Sequence, residues 1–280
     1  MDSVDLHTHT THSDGTLDPL AVIKLAKEKS LRAIAITDHD TVSGVAESLK
    51  LGEAYGLEVI PAIEISARYK SGEIHILGYD IDWQNQNLVA TLIDLRDGRN
   101  ERNPQIVERL RALGFDIDYS EVKAVAGDGT VGRPHIAQVL LQRGHVASIS
   151  EAFERFLKDG AIAYVPRANL GPERVVGLIL EAGGIPVLAH PSRLDGSLDE
   201  LEKLCASLVN SGLMGVEVLY STHDKSQVEL YQGLASKYGL LVTGGSDFHG
   251  ANKPGIELGT GKGNLRVPYC VVEKMRQKRI

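Results

Sequence analysis

The chain has 280 residues, 42% of them apolar, and a formal charge of −7. That length suits one large α/β domain or a domain with an insert. The acidic balance excludes a broad duplex-binding surface but leaves room for a small anionic ligand held by local cations. No apolar run approaches the ~18 residues of a membrane span, and the opening V-D-L-H lacks a signal-peptide pattern. Cys205 and Cys270 are far apart and read as buried thiols in a reducing compartment. A soluble, cytoplasmic protein is expected.

Val4–His9 reads as a short strand. Asp18-Pro19 opens a helix, with Asp at the N-cap and Pro at the first position. Arg32–Thr37 is a buried strand, Thr41–Tyr55 a helix ended by Gly56, and Glu58–Ser66 and Glu73–Tyr79 are strands. The rhythm changes at Asp82. Leu88–Leu113 is helical in pattern, with a break expected at Asn103-Pro104. Pro134–Arg143 and Ser150–Leu157 are further helices, and no strand pattern appears between Trp83 and about Ala161. The βα rhythm then resumes: Pro172–Ala182 helix, Ile185–His190 strand, Asp199–Asn210 helix, Gly215–Tyr220 strand, Asp224–Tyr238 helix, Leu240–Gly244 strand, Val267–Arg276 closing helix. Seven strands separated mostly by helices imply a mainly parallel α/β sheet, open or closed into a barrel. The expected division is 1–82 and 164–280 for the α/β part, with a helical insert over 83–163.

The ionisable residues gather at strand ends. His7 and His9 end the first strand, and Asp38, His39 and Asp40 follow the second. Glu64 lies near the end of the third, His75 in the fourth, and His190 ends the fifth. Asp247 and His249 follow the last. Sites in parallel α/β folds form where strand C-termini share one face. His7 and His9 are two apart, so they point to one side of a strand, and Asp247 and His249 repeat that offset. With Asp14, His39, Glu64, His75 and His190 they make nine N/O donors. That is more than one ion needs, so two or three divalent ions with a bridging carboxylate fit better. A set without Cys favours Mn, Zn or Fe.

The stretches H-T-H-T-T-H-S-D-G, I-T-D-H-D-T, A-I-E-I-S, E-I-H-I-L-G-Y, L-A-H-P and G-S-D-F-H-G resemble, in order, the motifs of the PHP (polymerase and histidinol phosphatase) superfamily. The resemblance implies a distorted (β/α)7 barrel with a trinuclear metal site. It implies that His7, His9, Glu64 and Asp247 hold one ion, Asp14, His39 and His249 a second, and Glu64, His75 and His190 a third. His12 has no place in that pattern and reads as a loop histidine near the metals.

R-D-G-R-N-E-R-N and G-R-P-H-I-A further resemble PHP phosphoesterases that remove the 3′-phosphate from nucleoside 3′,5′-bisphosphates, a group that includes a ribonuclease trimming 5′-phosphorylated RNA. Arg99 and Arg102 are three apart and share a helical face, and Arg133 sits at a helix start, where anions are favoured. These three, with Asn100, Glu101 and His135 beside them and Asp14 and His39 at the metals, are the candidate substrate contacts. The expected reaction is metal-assisted phosphoester hydrolysis on a small nucleotide or a short RNA 5′ end. Asp247 and Glu64 are the candidates for relaying the water's proton, and His190 and His39 are candidates for general acid. Histidinol-phosphate phosphatase and a non-catalytic PHP module are the alternatives. Glu217, in G-V-E-V, reads as a buried strand glutamate.

Overall fold

A computed structural model describes residues 2–70, 72–127, 129–166, 170–194 and 196–278. Strand β1 (Ser3–Thr8) is buried beyond its first residue. Asp18 then caps α1 (Pro19–Glu28): its carboxylate accepts the Ala21 N–H, and Pro19 occupies the first turn, where a missing donor costs nothing. β2 (Ala33–Ile36) is wholly buried, as a continuous apolar run requires. α2 (Val45–Tyr55) begins later than its periodicity suggests and ends at Gly56 in the left-handed conformation.

β3 (Glu58–Tyr69) and β4 (Gly72–Tyr79) pair antiparallel over the whole of β4, from Ala62 opposite Tyr79 to Tyr69 opposite Gly72, so the mainly parallel sheet that was expected contains a reversed strand. Two residues join them, and a parallel pair needs a crossover of about a dozen residues or more. β4 is also antiparallel to β5 (Ile185–Leu188). β6 (Gly215–Tyr220) and β7 (Leu241–Gly245) run parallel to β5, and β1, β2 and β3 run parallel to each other. An eighth strand, β8 (Val267–Pro268), lies antiparallel to β1, where a helix was expected. Pro268 cannot continue a helical ladder and suits an edge. The sheet order is β7-β6-β5-β4-β3-β2-β1-β8.

The sheet curls until its far strands meet. Asp247 N–H donates to His7 O (2.8 Å) and His9 N–H to Phe248 O (2.9 Å), so the end of β7 zips onto the end of β1. The result is a nearly closed, distorted α/β barrel.

Between β4 and β5 the described chain is helical: α3 (Gln86–Ala112), α4 (Tyr119–Ala126), α5 (Arg133–Gln142), and α6 (Ile149–Ala152) running into a π-helical turn at Phe153–Leu157. α3 passes through Pro104 unbroken over 27 residues, against expectation. Its first half buries Leu88, Leu92 and Leu95 against the barrel's helices. Its second half buries Ile106, Val107 and Leu110 in a separate core lying wholly within 106–165. Burial at both ends, with Asn103 Nδ2 donating to Val131 O (2.9 Å), outweighs the roughly 3 kcal/mol that an internal proline costs. α4 went unforeseen, although Asp118 and Glu121 form a capping box at its start.

α7 (Pro172–Glu181), α8 (Leu198–Asn210) and α9 (Lys225–Tyr238) cover β3 to β6 through Ile65, Ile76, Val176, Leu204 and Leu234. α10 (Cys270–Lys278) packs Met275 with Val4, Ala33 and Ile185. Cys205 is buried in α8, whereas Cys270 is exposed, against expectation, at the first position of α10. Among the described residues no helix is long and apolar enough to cross a membrane.

Closure depends on Gly245. A Cβ there would lie 2.4 Å from both N and Cβ of His7. Gly245→Ala is expected to destabilise the protein by about 1–3 kcal/mol, read as a lowered Tm. An unchanged Tm would show that the β1–β7 seam has slack.

Candidate metal centre

His7 lies in β1 and His9 one residue past its end. Asp14 sits on the turn that follows, held against the barrel where Asn252 Nδ2 donates to Asp14 O (2.7 Å). Gly15 permits that turn: a Cβ there would meet His9 O at 2.5 Å. His39 follows β2, Glu64 is in β3, His190 follows β5, and Asp247 and His249 follow β7. His75 arrives by a different route. It lies in the first half of β4 and pairs with Ser66, and because β4 runs backwards its start faces the same mouth. Asp40, His190 and Asp247 have φ of +52°, +24° and +58°. Non-glycine residues are held there only when their surroundings impose it, and such residues cluster at functional sites.

The donor atoms converge in three groups: His7, His9, Glu64 and Asp247; His9, Asp14, His39 and His249; and His39, Glu64 and His75. Within each, one ligand-type atom per residue lies within 4.8 Å of the others. Glu64 stands at the middle. Its Oε2 is 3.2 Å from His7 Nε2, 3.2 Å from His9 Nε2 and 3.1 Å from His39 Nδ1. Its Oε1 is 2.9 Å from both His75 Nδ1 and His190 Nε2. His190 thus touches the shared carboxylate, while the compact third group takes His39 in its place.

The donor set fits metal ions. His7 Nε2, both ring nitrogens of His9, His39 Nδ1 and Glu64 Oε2 are buried, converge, and make no hydrogen bond. Leaving such atoms unpaired is costly, and a cation among them satisfies them together. Burial opposes ionisation of Glu64, but the His39, His7 and His75 imidazoles hold its carboxyl well below the usual range. Asp14, also opposed by burial, is held well below by His249 and His39. Burial pushes His39 down to about 3 and His190 well below its ordinary value, so both rings are neutral at pH 7, the form that ligates.

Neighbours aim the donors. Glu217 on β6 accepts from His7 Nδ1 (2.9 Å) and from the His190 N–H (2.8 Å), which turns His7 Nε2 into the cluster. Glu217 is thus the buried strand glutamate that its sequence suggests, and its hydrogen bonds also orient His7. His249 Nδ1 donates to Asp247 O (2.9 Å), leaving Nε2 at 3.2 Å from Asp14. Asp38 ties the His9–Asp14 loop through the Thr10 N–H (2.8 Å), the Thr10 hydroxyl (2.7 Å) and the Ser13 hydroxyl (2.6 Å). His12 stays outside: Nδ1 meets the Ser43 hydroxyl at 3.0 Å and Nε2 faces Glu47 at 3.6 Å.

The expected anion contacts are only partly assembled. Arg99 is buried but ion-paired with Asp40, and it also donates to Ser66 Oγ (3.1 Å). Arg102 is buried and donates to Asn103 Oδ1 (2.8 Å). Arg133 is paired with Glu73 (2.5 Å) and Asp159 (3.0 Å). Arg102 and Arg133 line a small hollow with Arg68, Glu73, Asp159 and Tyr164. His135 is buried, and its Nδ1 accepts the Gly132 N–H (3.0 Å). Asn100 and Glu101 fall on the exposed side of α3, away from that hollow. Arg68 in that hollow, and Arg193, Tyr220 and Lys253 around Asp247, were not singled out from the sequence. Arg193 had a signal in standing three residues after the strand-end His190; the others had none.

A barrel mouth that gathers nine ligand-type residues defines a metal-dependent hydrolase type of site. The PHP domain matches residues 5–162. The chain is 32% identical over 92% of its length to the 3′,5′-nucleoside bisphosphate phosphatase of Chromobacterium violaceum, covering 91% of that protein. It is 34% identical over 91% of its length to the 5′-3′ exoribonuclease Rnm of Escherichia coli, covering 87% of that protein. A solved structure of an amidohydrolase from Chromobacterium violaceum, with bound sulfate and no metal, superposes with a TM-score of 0.89 at 30% identity, over 99% of this chain and 96% of that one. The chain belongs to the PHP domain family.

His9→Ala is expected to lower bound metal by at least one ion per chain, because His9 belongs to two of the three groups. His12→Ala should leave the content unchanged. Elemental analysis after gel filtration checks both, and equal contents in the two variants would contradict the ligand assignment.

Proposed function

We propose that this protein is a cytoplasmic metal-dependent phosphoesterase that removes the 3′-phosphate from nucleoside 3′,5′-bisphosphates. One observation carries the reading: two of three ligand groups share the buried carboxylate of Glu64, and the third joins them through His9 and His39, at a barrel mouth. His7, His9, Asp14, His39, Glu64, His75, His190, Asp247 and His249 would hold two or three divalent ions, with manganese the first candidate and zinc or iron the others. Bound there, such ions supply Lewis-acid charge to the phosphate and lower the pKa of water.

The chain's own residues supply the rest. Asp247 is held well below the usual carboxylate range despite its burial, chiefly by Lys253, so it is ionised, which suits ligation better than the proton-relay role that the sequence suggested for it. His190 and His39 are neutral, which suits ligation rather than the general-acid role that the sequence suggested for them. Arg102 and Arg133, joined by Arg68, would take the remote phosphate by displacing Glu73 and Asp159 from Arg133. Arg99 braces the mouth through Asp40. Residues 83–163 would then act as a unit that carries most of the remote-phosphate contacts.

A second reading, trimming of 5′-phosphorylated RNA, is favoured by the likeness to the Escherichia coli exoribonuclease and uses the same groups. Phosphate release from adenosine 3′,5′-bisphosphate, a 5′-phosphorylated oligoribonucleotide and histidinol phosphate, each with manganese, separates the cases. The bisphosphate should turn over best. Faster histidinol phosphate hydrolysis would refute the nucleotide assignment, and metal uptake without turnover on any ester would make the chain a non-catalytic module.

Arg133→Ala should raise KM for the bisphosphate by about 10- to 100-fold. KM for a simple phosphate monoester should change much less. Equal changes on both substrates would remove Arg133 from the remote-phosphate site.

A further inference from the structure

The helical stretch between β4 and β5 reaches back to the loop that carries Asp14. In the link from α4 to α5, the Thr130 N–H donates to His12 O (3.1 Å). Beside it, Gly129 lies flat on the same loop. A Cβ there would sit 2.3 Å from Thr11 O and 3.3 Å from Ser13 O, backbone atoms that cannot swing aside.

The barrel holds this loop from the other side. Asp38 accepts the Thr10 N–H and the hydroxyls of Thr10 and Ser13. The His12 ring lies against the start of α2: Nδ1 is 3.0 Å from Ser43 Oγ, and a Cβ on Gly44 would fall 2.6 Å from His12 Cδ2. Thr11, His12 and Ser13 are thus gripped between α2 and residues 129–130, and Asp14 is the next residue along.

The same link carries the anion contacts at its far end. Val131 O accepts from Asn103 Nδ2 (2.9 Å), and Asn103 Oδ1 accepts from Arg102 Nε (3.1 Å) and Nη2 (2.8 Å). The Gly132 N–H donates to His135 Nδ1 (3.0 Å), and Arg133 opens α5. Five residues of backbone, 129–133, therefore run from the Asp14 loop to the Arg102–Arg133 hollow. An anion in that hollow draws Arg133 from Glu73 and Asp159. A divalent ion among His9, Asp14, His39 and His249 fixes the loop at the opposite end. Whichever ligand binds first orders the link, so the second has less conformational freedom to remove.

We propose that Gly129 and Thr130 are positioning residues that hold the Asp14 loop, and that through them the phosphate of a nucleotide in the arginine hollow and a divalent ion at Asp14 bind with positive cooperativity. The ligand pair is a nucleoside 5′-phosphate and a divalent cation. The inference rests on the remote-phosphate role given to Arg102 and Arg133 in the phosphoesterase reading.

The test uses full-length wild type and Gly129→Ala, with manganese and adenosine 5′-phosphate as probes in calorimetry. Wild type should bind the nucleotide about 5- to 150-fold more tightly with manganese than after chelation, and manganese should gain the same factor from the nucleotide, as linkage requires. In Gly129→Ala that factor should fall toward one, while the nucleotide Kd of the chelated variant stays at the wild-type value, since the arginines are untouched. An equal factor in both proteins overturns the proposal, because the nucleotide would then be touching the ions directly. A factor of one in wild type overturns it too. Wild type that binds no adenosine 5′-phosphate overturns it together with the remote-phosphate role, and turnover of a simple phosphate monoester would still uphold the phosphoesterase reading. Cooperative binding without turnover of any ester sinks that reading alone. If Gly129→Ala does not fold, hydrogen exchange of the wild-type Thr130 amide decides. Exchange should slow about fivefold or more with either probe and further with both; exchange that neither probe changes overturns the proposal.

Discussion

The structure turns on the carboxylate of Glu64, which is fully buried and has five imidazoles around it. Its Oε2 faces three ring nitrogens at 3.1–3.2 Å and takes a hydrogen bond from none of them. Protons alone satisfy such a group poorly. A charge buried without partners costs several kcal/mol, and imidazoles crowded at that distance cannot all be protonated together. Divalent cations remove the conflict, because each takes several lone pairs and offsets the carboxylate charge at once. The same crowding that protons satisfy poorly suits the cluster to metal ions.

The barrel exists in this form to keep those atoms together. β4 runs against its neighbours, so His75 enters at the mouth from the start of a strand while His9, His39 and His190 enter from strand ends. The contact of β7 with β1 brings Asp247 over His7, and Gly245 lets the backbones approach. Behind the donors stand buried carboxylates that never reach the cluster. Glu217 aims His7, Asp38 ties the His9–Asp14 loop, and Asp40 engages Arg99. Left-handed conformations at Asp40, His190 and Asp247 show the same constraint acting on the backbone.

Much of this was legible beforehand, for physical reasons. Two-residue offsets put His7 with His9 and Asp247 with His249, because strand side chains alternate. N-cap Asp18 with Pro19, and Gly56 after α2, marked helix ends through local backbone chemistry. What escaped depends on contacts distant in sequence. The reversal of β4 turned on the length of one connection. The persistence of α3 through Pro104 depends on packing at both of its ends. Spacing puts Arg99 and Arg102 on one face of α3, and both are buried, but a helical face does not reveal that Asp40 will claim Arg99, nor a helix start that Glu73 will claim Arg133. Lys253 and Tyr220 carry no motif; only the fold brings them to Asp247.

Bound metal ions would share the Glu64 carboxylate, and anomalous diffraction from crystals grown with manganese decides whether they do. Two or more peaks are expected, with Glu64 oxygens shared between two of them and His9 ligating at least one. A single peak remote from Glu64, or none in protein that remains fully active after chelation, would contradict it.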